Sequence, residues 1–448
     1  MAKTFRATDA AIARFGKRLE RTGVKFLRFE LPDLHGISRC KVVPAQNVEG
    51  YCKRGLNVYG GAIALDTASH VVSGTLYNEE VKYRDQKLYP DFGTLTPVPW
   101  HDATAKVICD TEWDAGRPLL AAPRYVLAKA VAEAERLGYR VLMAHEFEFY
   151  VLDRATMKPL FTGMHIFNNV RNQWAPFIDD LLNHLMTMGV DVITHNCEYA
   201  GAQYEINYKA DWGVAGADRG FTFKNAVKEF VHRAGYLATF MAKPWSDSAG
   251  SGCHVHVSLW DKKTGGNVMV DAKDGLGVSA VGKAFVQGLI DHGRALMPIM
   301  NPTPNCYHRI RPHTFAPSNI SWGVEDRSAM VRVKATGDDG THVENRLGSA
   351  MGNPYLTAAA TLQAGLLGIK AKSKLKGQST GTAEEDPNWP KLPQRLPEAL
   401  DALAADKAMR EALGEEFFQV FNAMKRHELQ RFHSHVTDWE RTEYLEVH

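Results

Sequence analysis

The segment AHEFEFY, residues 144–150, places two glutamates within a run of aromatic and aliphatic residues. Alternation along a β-strand would point the carboxylates of Glu146 and Glu148 to the same side. Two like charges side by side in an apolar segment repel each other and lose hydration, so they require a neutralising partner. The segment therefore predicts a strand that contributes to a charged functional site.

Three further strand-like segments show the same combination of apolar residues with charged or metal-binding side chains. They are HNCEYAGAQYEINY (195–208) with Glu198 and Glu205, AGSGCHVHVSLW (249–260) with His254 and His256, and THVENRLG (341–348) with Glu344 and Arg346. Alternation places the two histidines on one face of their strand, and likewise Glu344 and Arg346. Neighbouring strands with this content would bring five glutamates and a histidine into one cluster.

Such a cluster is tolerable only if divalent cations lie within it, and mainly oxygen ligands with one or two imidazoles suit Mg²⁺ or Mn²⁺. Taken singly, a Glu-x-Glu pair is more often a solvated strand face, and a His-x-His pair is no better than an even indication. The metal-site interpretation depends on their occurrence together. A closed zinc site fits this ligand set less well.

Four arginines lie in polar, glycine- and proline-rich contexts and extend the predicted site: Arg309, Arg327, Arg332 and Arg346. Arg332 and Arg327 could instead pair with surface carboxylates, the commoner fate of an arginine. Metal ions and arginines that converge on one cleft are what phosphoryl transfer requires, because charge spreads over the transferring oxygens. The sequence has no P-loop, so a nucleotide would be bound by another type of fold.

The composition limits the possible classes of protein. The chain has 448 residues, a formal net charge of +2, 45% hydrophobic residues and six scattered cysteines. The length predicts two domains, and the hydrophobic content is typical of a folded protein. The small net charge makes nucleic acid an unfavourable partner. Cysteines without metal-site spacing predict reduced thiols and a cytoplasmic location, and no segment is long enough to span a membrane.

The order of elements predicts an α+β fold with a mainly antiparallel sheet in the larger half, because hairpin-like strands outnumber strand–helix–strand units. Strands are expected at 140–151, 191–208 and 253–260, and helices at 123–137, 219–234 and 278–297. The proline-rich segment near residue 114 resembles a linker between two domains.

The ordered set of motifs resembles the glutamine synthetase family over nearly the whole chain. The motifs are PDLHGISRCKVVPA, AHEFEFYVLD, EYAGAQYEINY, ATFMAKPWSDSAGSGCHVHVSLWD, NPTPNCYHR, SWGVEDRSAMVRV and HVENRLGSAMGNPYL. The resemblance implies a β-grasp N-terminal domain at 1–113 and a catalytic domain with a curved antiparallel sheet at 114–448. It also implies a homo-oligomer, a dodecamer or a decamer, with active sites between subunits.

The resemblance also implies roles for single residues, with two or three Mg²⁺ or Mn²⁺ ions per site and ATP as a substrate. One metal would be held by Glu148, Glu198 and Glu205, and a second by Glu146, His254 and Glu344. Gly250, Arg309 and Arg346 would contact glutamate, and His256, Ser258, Arg327 and Arg332 would contact the nucleotide. Arg327, Glu198 and Arg309 are the residues expected to act in catalysis, Arg327 by steadying the transferring phosphoryl group.

The sequence departs from the ammonia-using members at the positions that bind ammonium. An aspartate contributed by the neighbouring subunit is replaced by Gly60, and a glutamate on the loop before Ala-Pro is replaced by Phe315. A tyrosine that lines the ammonium site corresponds loosely to Ile166. A separate departure lies on the ATP side, where an arginine is replaced by His342. Losing anionic groups weakens binding of a hydrated cation, while apolar replacements leave surface for carbon.

These departures predict a ligase that joins the γ-carboxylate of L-glutamate to an organic primary amine through γ-glutamyl phosphate. Methylamine, another alkylamine or an aniline-type amine is the expected co-substrate. The alternative is an ammonia-using glutamine synthetase in which Gly60 and Phe315 are loop drift. A structural relative without activity, as among lens members of the superfamily, and a metal-dependent hydrolase are less favoured.

Overall fold

The computed structural model describes residues 6–114, 116–163 and 166–448, and two β-sheets organise this part of the chain. The first sheet has six strands in the order β2-β1-β6-β4-β3, with β5 paired to β6. β1 and β6 run parallel, and their neighbours are antiparallel. The elements of this part are α1 (Asp9–Arg21), β1 (Phe26–Pro32), β2 (Ser38–Pro44), α2 (Ala45–Arg54), β3 (Leu56–Tyr59), β4 (Asp85–Pro90), β5 (Thr96–Pro97) and β6 (Thr104–Glu112).

The second sheet has nine strands in the order β13-β14-β15-β12-β7-β9-β8, with β10 and β11 also paired to β7. All its pairs are antiparallel except β13 with β14. Its strands are β7 (Tyr139–Asp153), β8 (Val192–Cys197), β9 (Gln203–Tyr208), β10 (Asp211–Trp212), β11 (Tyr236–Thr239), β12 (Cys253–Asp261), β13 (Trp322–Val324), β14 (Val331–Lys334) and β15 (His342–Asn345).

Helices cover this sheet and continue to the end of the chain. They are α3 (Pro123–Arg136), α4 (Asn169–Asn172), α5 (Ile178–Thr187), α6 (Val214–Arg233), α7 (Ala280–Asp291), α8 (Gly293–Met300), α9 (Pro354–Ala371), α10 (Leu396–Ala405), α11 (Lys407–Leu413), α12 (Glu415–His433) and α13 (Asp438–Tyr444). The α+β class predicted from the sequence is confirmed. A division of the chain at residues 113 and 114 stays a prediction.

Strand β7 explains how one face of the sheet becomes a core and the other a site. Phe147 and Phe149 are fully buried and pack on Phe223 and Phe240, whereas Glu146 and Glu148 lie on the opposite face. Removing two phenyl rings from water is favourable by several kcal/mol, on the order of 2 to 3 for each ring. The register of β7 therefore holds the two carboxylates in the cleft, because a shift by one residue would bury them.

No helix among the described residues is long and apolar enough to cross a membrane. No disulfide joins any of the six cysteines, all of which belong to the described part of the chain, as the sequence predicted.

The first sheet is attached to helix α6 by a four-membered polar cluster around Glu229. Arg28 donates two hydrogen bonds of 2.8 Å to its carboxylate, and the Trp100 indole N–H donates one of 2.9 Å. The Nε2 atom of His101 lies 3.0 Å from the same carboxylate. Burial raises the pKa of Glu229, but the hydrogen bonds from Arg28 and Trp100 outweigh burial and lower the pKa to about 2.

We expect Glu229→Gln to lower the free energy of unfolding by about 1–2 kcal/mol at neutral pH, since it removes a charge that accepts several hydrogen bonds. A carboxylate whose folded pKa lies below its unfolded value of about 4.3 stabilises the protein above that value. The difference between wild type and variant should therefore be constant near neutral pH and should shrink as the pH falls from about 4.3 towards 2. Urea unfolding at several pH values measures this. The exposed Glu49→Gln is the control, and an equal effect in both variants would contradict the prediction.

Candidate active site

One cleft of about 890 Å³ brings together nearly all the residues that the sequence singled out. Its volume lies in the range of ligand-binding sites in proteins. Its walls include Glu146, Glu148, Ile166, Glu198, Glu205, Gly250, His254, His256, Ser258, Arg309, Phe315, Arg327, Arg332, His342, Glu344 and Arg346. Gly60 is the exception among the predicted site residues: it does not belong to this cleft within the described chain.

Strand register explains why residues so distant in sequence meet here. Five adjacent strands, β14, β15, β12, β7 and β9, each place charged or imidazole side chains in neighbouring positions. The paired positions are Arg332 with Glu344, Glu344 with His256, His254 with Glu146, and Glu148 with Glu205. Because directly opposite residues have Cβ atoms about 5 Å apart, the pairing makes one continuous row of polar groups.

The first group within this row consists of Glu146, His254 and Glu344. The Nδ1 atom of His254 lies 2.7 Å from the Glu146 carboxylate and 3.3 Å from that of Glu344. Burial opposes ionisation of Glu146, but its hydrogen bonds to His254 and His256 lower its pKa well below the usual range. Burial likewise opposes ionisation of Glu344, whose pKa the nearby histidines and Arg346 lower to about 2.

The second group consists of Glu148, Glu198 and Glu205, whose hydrogen bonds come from amides. Glu148 accepts from the backbone N–H of Gly252 at 2.8 Å, Glu198 from the Asn196 side chain at 3.0 Å, and Glu205 from the Asn207 side chain at 2.7 Å. Burial and the charge of Glu148 raise the pKa of Glu198 to about 7. Burial and the charges of Glu146 and Glu148 raise the pKa of Glu205 to about 9.

These two groups have the chemistry of divalent-cation sites. Three carboxylates that lie this close together repel one another, and as a set of oxygen ligands they would be stabilised by a cation. The buried Nε2 atom of His254 has no hydrogen-bond partner among the described residues, while Nδ1 of the same ring bonds to Glu146. A ring held in this way presents a free lone pair at Nε2, the arrangement typical of a metal-binding histidine. The residues therefore fit Mg²⁺ or Mn²⁺.

His256 also faces the first group and is held by His342. The Nδ1 atom of His342 lies 2.6 Å from the carbonyl oxygen of Gly340, and its Nε2 atom lies 3.1 Å from Nδ1 of His256. Ligand atoms of Glu146, His256 and Glu344 all lie within 4.8 Å of one another. The sequence placed His256 beside the nucleotide, whereas the geometry also makes it a candidate metal ligand.

The arginines occupy different parts of the cleft. Arg309 is buried, and its Nη1 atom has no hydrogen-bond partner among the described residues. Arg346 lies 2.5 Å from the Glu344 carboxylate and donates a 3.1 Å hydrogen bond to the carbonyl oxygen of Arg327. The side chain of Arg327 is exposed at the cleft. A buried guanidinium with a free donor suits an anionic ligand.

Arg332 partly follows the alternative interpretation, in which an arginine pairs with protein carboxylates. It lies 2.5 Å from the exposed Glu325 and 3.1 Å from the buried Glu344. A role in nucleotide binding for Arg332 stays a prediction.

Two small residues shape the cleft floor. A Cβ atom at Gly250 would lie 2.6 Å from Cγ of Arg309, so only glycine leaves that arginine in place. The Ser258 hydroxyl accepts a 2.9 Å hydrogen bond from the Trp260 indole and is buried.

Aromatic residues line the part of the cleft next to Glu198. Phe315 and Tyr199 stack with ring centroids 5.8 Å apart, and Phe167 adds a third ring beside Ile166. The sequence predicted Phe315 and Ile166 for the amine pocket but missed Tyr199 and Phe167. The position of Tyr199, directly after the ligand-like Glu198, was the available signal.

Gly60 lies in a buried 3-10 helix, Gly60–Ala64, of the first sheet region. A Cβ atom there would meet the Trp113 ring and would lie 2.6 Å from the carbonyl oxygen of Arg84. An aspartate therefore cannot replace Gly60 without displacing its neighbours. A role for Gly60 in a neighbouring subunit's site stays a prediction.

We expect Gly60→Ala to lower the free energy of unfolding by about 1–3 kcal/mol, because it overpacks a filled interior. Thermal unfolding followed by circular dichroism measures this. Gly16→Ala is the matched control, because Gly16 lies within α1 with open space around its Cβ position. That variant should be neutral or slightly stabilising. If both variants unfold at the same temperature, a Cβ atom is tolerated at position 60 and the packing argument is wrong.

Comparisons with known proteins give one family and several similar chains. A family model described as glutamine synthetase, catalytic domain, matches residues 120–444. Glutamate–isopropylamine ligase from a Pseudomonas species is 32% identical over 444 residues, covering 96% of this chain and 96% of that protein. Glutamine synthetase of Rhizobium meliloti is 32% identical over 446 residues, covering 95% of this chain and 97% of that protein.

Human lengsin is 31% identical over 419 residues, covering 91% of this chain and 80% of that protein. Among solved structures, one described as a GmaS complex with ADP superposes with a TM-score of 0.86. It is 28% identical in sequence, and the match covers 96% of this chain and 99% of that one.

Proposed function

This chain belongs to the glutamine synthetase family, and from that premise we propose that it joins the γ-carboxylate of L-glutamate to an organic primary amine. The family is one of ATP- and divalent-cation-dependent ligases. The proposal adds the class of amine. An assembly of several copies with sites between subunits, a cytoplasmic location and two domains are part of the same proposal.

One observation carries the choice of amine: Phe315 lies in the cleft beside Tyr199, where the family resemblance places the glutamate of ammonia-using members. An aromatic pair offers no charge for a hydrated ammonium ion. It offers apolar surface, and each buried methylene is favourable by about 0.8 kcal/mol. A gain of this size shifts preference towards an organic amine without excluding ammonia.

The residues of the cleft support a two-step reaction. The glutamate γ-carboxylate oxygen attacks the γ-phosphorus of ATP, and ADP leaves as the bond to the bridging oxygen breaks. The amine nitrogen then attacks the acyl carbon of γ-glutamyl phosphate, and inorganic phosphate leaves. Divalent cations held by the two glutamate groups would neutralise phosphate charge when bound.

Each protein group has a proposed part in these steps. Arg309 and Arg346 would hold the carboxylates of glutamate and so orient the γ-carboxylate. The exposed Arg327 would steady the charge of the transferring phosphoryl group. Glu198, next to the aromatic end of the cleft, would accept the proton that the amine nitrogen loses.

The proposal is tested by phosphate release with L-glutamate, ATP and Mg²⁺ in the presence of ammonia, methylamine, isopropylamine, benzylamine or aniline. We expect at least one organic amine to give a clearly higher kcat/KM than ammonia. A reaction without amine is the control for hydrolysis of ATP or of the acyl phosphate. If ammonia gives the highest value, the chain is an ammonia-using glutamine synthetase and the proposed amine class is wrong.

The ammonia-using alternative is favoured by the glutamine synthetase relatives at 32% identity. A structural relative without activity would have no need to retain the first and second groups of predicted metal ligands. Absence of phosphate release with every amine would support that second alternative.

A further inference from the structure

We propose that Tyr199 and Phe315 form an aromatic wall of the amine subsite that selects primary amines carrying an aromatic ring. The inference rests on the proposed function and narrows its substrate class. Its evidence is the arrangement of exposed rings at one end of the cleft.

The wall lies at the glutamate end of the cleft. Tyr199 directly follows Glu198, and the carbonyl oxygen of Phe315 accepts a 3.4 Å hydrogen bond from Arg346. The two histidines His256 and His342 lie beyond the carboxylate groups, on strands β12 and β15. The rings therefore border the place where an amine would approach the activated γ-carboxylate.

The rings present apolar surface to the cleft. Tyr199 is 41% exposed, Phe315 is 55% exposed and the neighbouring Phe167 is 63% exposed. The planes of Tyr199 and Phe315 differ by 24°, so the rings stack as a pair whose partly exposed outer face can receive a further ring. A methyl group would cover a small part of this surface, whereas an aryl ring would cover a full face and stack in an offset or edge-on arrangement.

Two of the rings at this end of the cleft belong to residues with a strained backbone. Phe167 and Phe315 have φ values of 56° and 55°, in the left-handed region that bulky residues rarely adopt. The backbone N–H of Phe167 donates to the carbonyl of Cys197, which fixes its loop beside Glu198. Strain of this kind collects at ligand-binding sites, where surrounding contacts compensate for it.

The test compares kcat/KM for benzylamine, aniline, isopropylamine and methylamine in the full-length protein. We expect kcat/KM of the wild type to be about ten-fold or more higher for an amine with an aromatic ring than for methylamine. Tyr199→Leu and Phe315→Leu should each reduce that ratio by about ten-fold, mainly by raising KM for the amine with the ring. Tyr199→Phe should retain the preference, because it keeps the ring. Phe432→Leu, an exposed aromatic residue outside the cleft, is the control and should change no ratio.

Three outcomes would overturn the inference. The first is a wild-type enzyme that prefers methylamine or isopropylamine, and the second is leucine variants that keep the wild-type ratio. The third is a leucine variant that changes its oligomeric state, as measured by light scattering, and loses the same fraction of its rate with every amine. That result would make the wall a subunit interface. Failure of the proposed function looks different, since ammonia would then give the highest kcat/KM or no amine would support phosphate release.

Discussion

Replacing Glu205 by glutamine is expected to lower kcat/KM by about 10²–10³-fold and to make the metal-free protein more stable. Glu205 lies on β9 opposite Glu148, and its carboxylate accepts a hydrogen bond from Asn207 that a glutamine can retain. Burial and the charges of Glu146 and Glu148 raise its pKa to about 9, which shows how unfavourable a third charge is at this place. Because the folded pKa lies above the unfolded value of about 4.3, Glu205 destabilises the metal-free protein at neutral pH, where the unfolded chain ionises freely and the folded one does not. Glutamine removes this cost together with a proposed metal ligand.

Two measurements separate these effects. Thermal unfolding of the chelator-treated protein should show a higher midpoint for Glu205→Gln than for wild type. Titration calorimetry with Mn²⁺ should show a weaker or missing site in the variant. The exposed Glu411→Gln should match wild type in both. A variant that binds Mn²⁺ like wild type would remove Glu205 from the metal site.

Replacing Arg124 by alanine is expected to lower the free energy of unfolding by about 3–5 kcal/mol, since it leaves the buried Asp218 and two partly exposed aspartates without their cation. The side chain of Arg124 is 10% exposed and bonds to three aspartates. It donates to Asp218 at 2.8 and 2.9 Å, to Asp110 at 2.7 Å and to Asp91 at 2.6 Å. Asp91 and Asp110 belong to the first sheet region and Asp218 to α6, so one guanidinium joins both parts of the protein.

Urea unfolding followed by circular dichroism gives the measurement. Arg117→Ala is the matched control, because Arg117 is exposed and pairs with the exposed Asp114. An exposed pair contributes about 0–1 kcal/mol. If Arg124→Ala does not fold, Asp110→Asn removes one carboxylate and should give a smaller loss of stability. Equal stability of Arg124→Ala and Arg117→Ala would show that the buried network contributes little.

The strands that carry the site were predictable because alternation leaves a strong pattern. Residues 140–151 and 253–260 were expected as strands, and the structure has β7 at Tyr139–Asp153 and β12 at Cys253–Asp261. Buried rings and cleft carboxylates alternate along β7. This alternation predicted both the strand and the face on which its two carboxylates lie.

Other elements were predicted less well, for local physical reasons. The strand expected at 191–208 is broken into β8 and β9, since Gly201 and the positive φ of Ala202 make a turn, and Glu198 lies in that turn. Helix α6 begins at Val214 rather than near residue 219. Gly216 obscured its start, but glycine is needed there because a Cβ atom would lie 2.6 Å from the Met143 carbonyl oxygen.

The helix expected at 278–297 is two helices, α7 and α8, that meet at His292, whose backbone departs from helical geometry. Gly293, directly after His292, is the local signal for this break that the prediction overlooked. The stacking of Tyr199 on Phe315 depends on two loops more than 100 residues apart, and side-chain contacts between loops leave no periodic signal.

We propose that glutamate is activated as an acyl phosphate before an amine displaces phosphate, and this order of steps leaves an isotopic trace. It is tested most directly with L-glutamate labelled with ¹⁸O in the γ-carboxylate, ATP, Mg²⁺ and the best amine. We expect the amide product and inorganic phosphate to form in equal amounts, and each phosphate to carry one oxygen from glutamate. Unlabelled phosphate, or phosphate release without a γ-glutamyl amide, would contradict it.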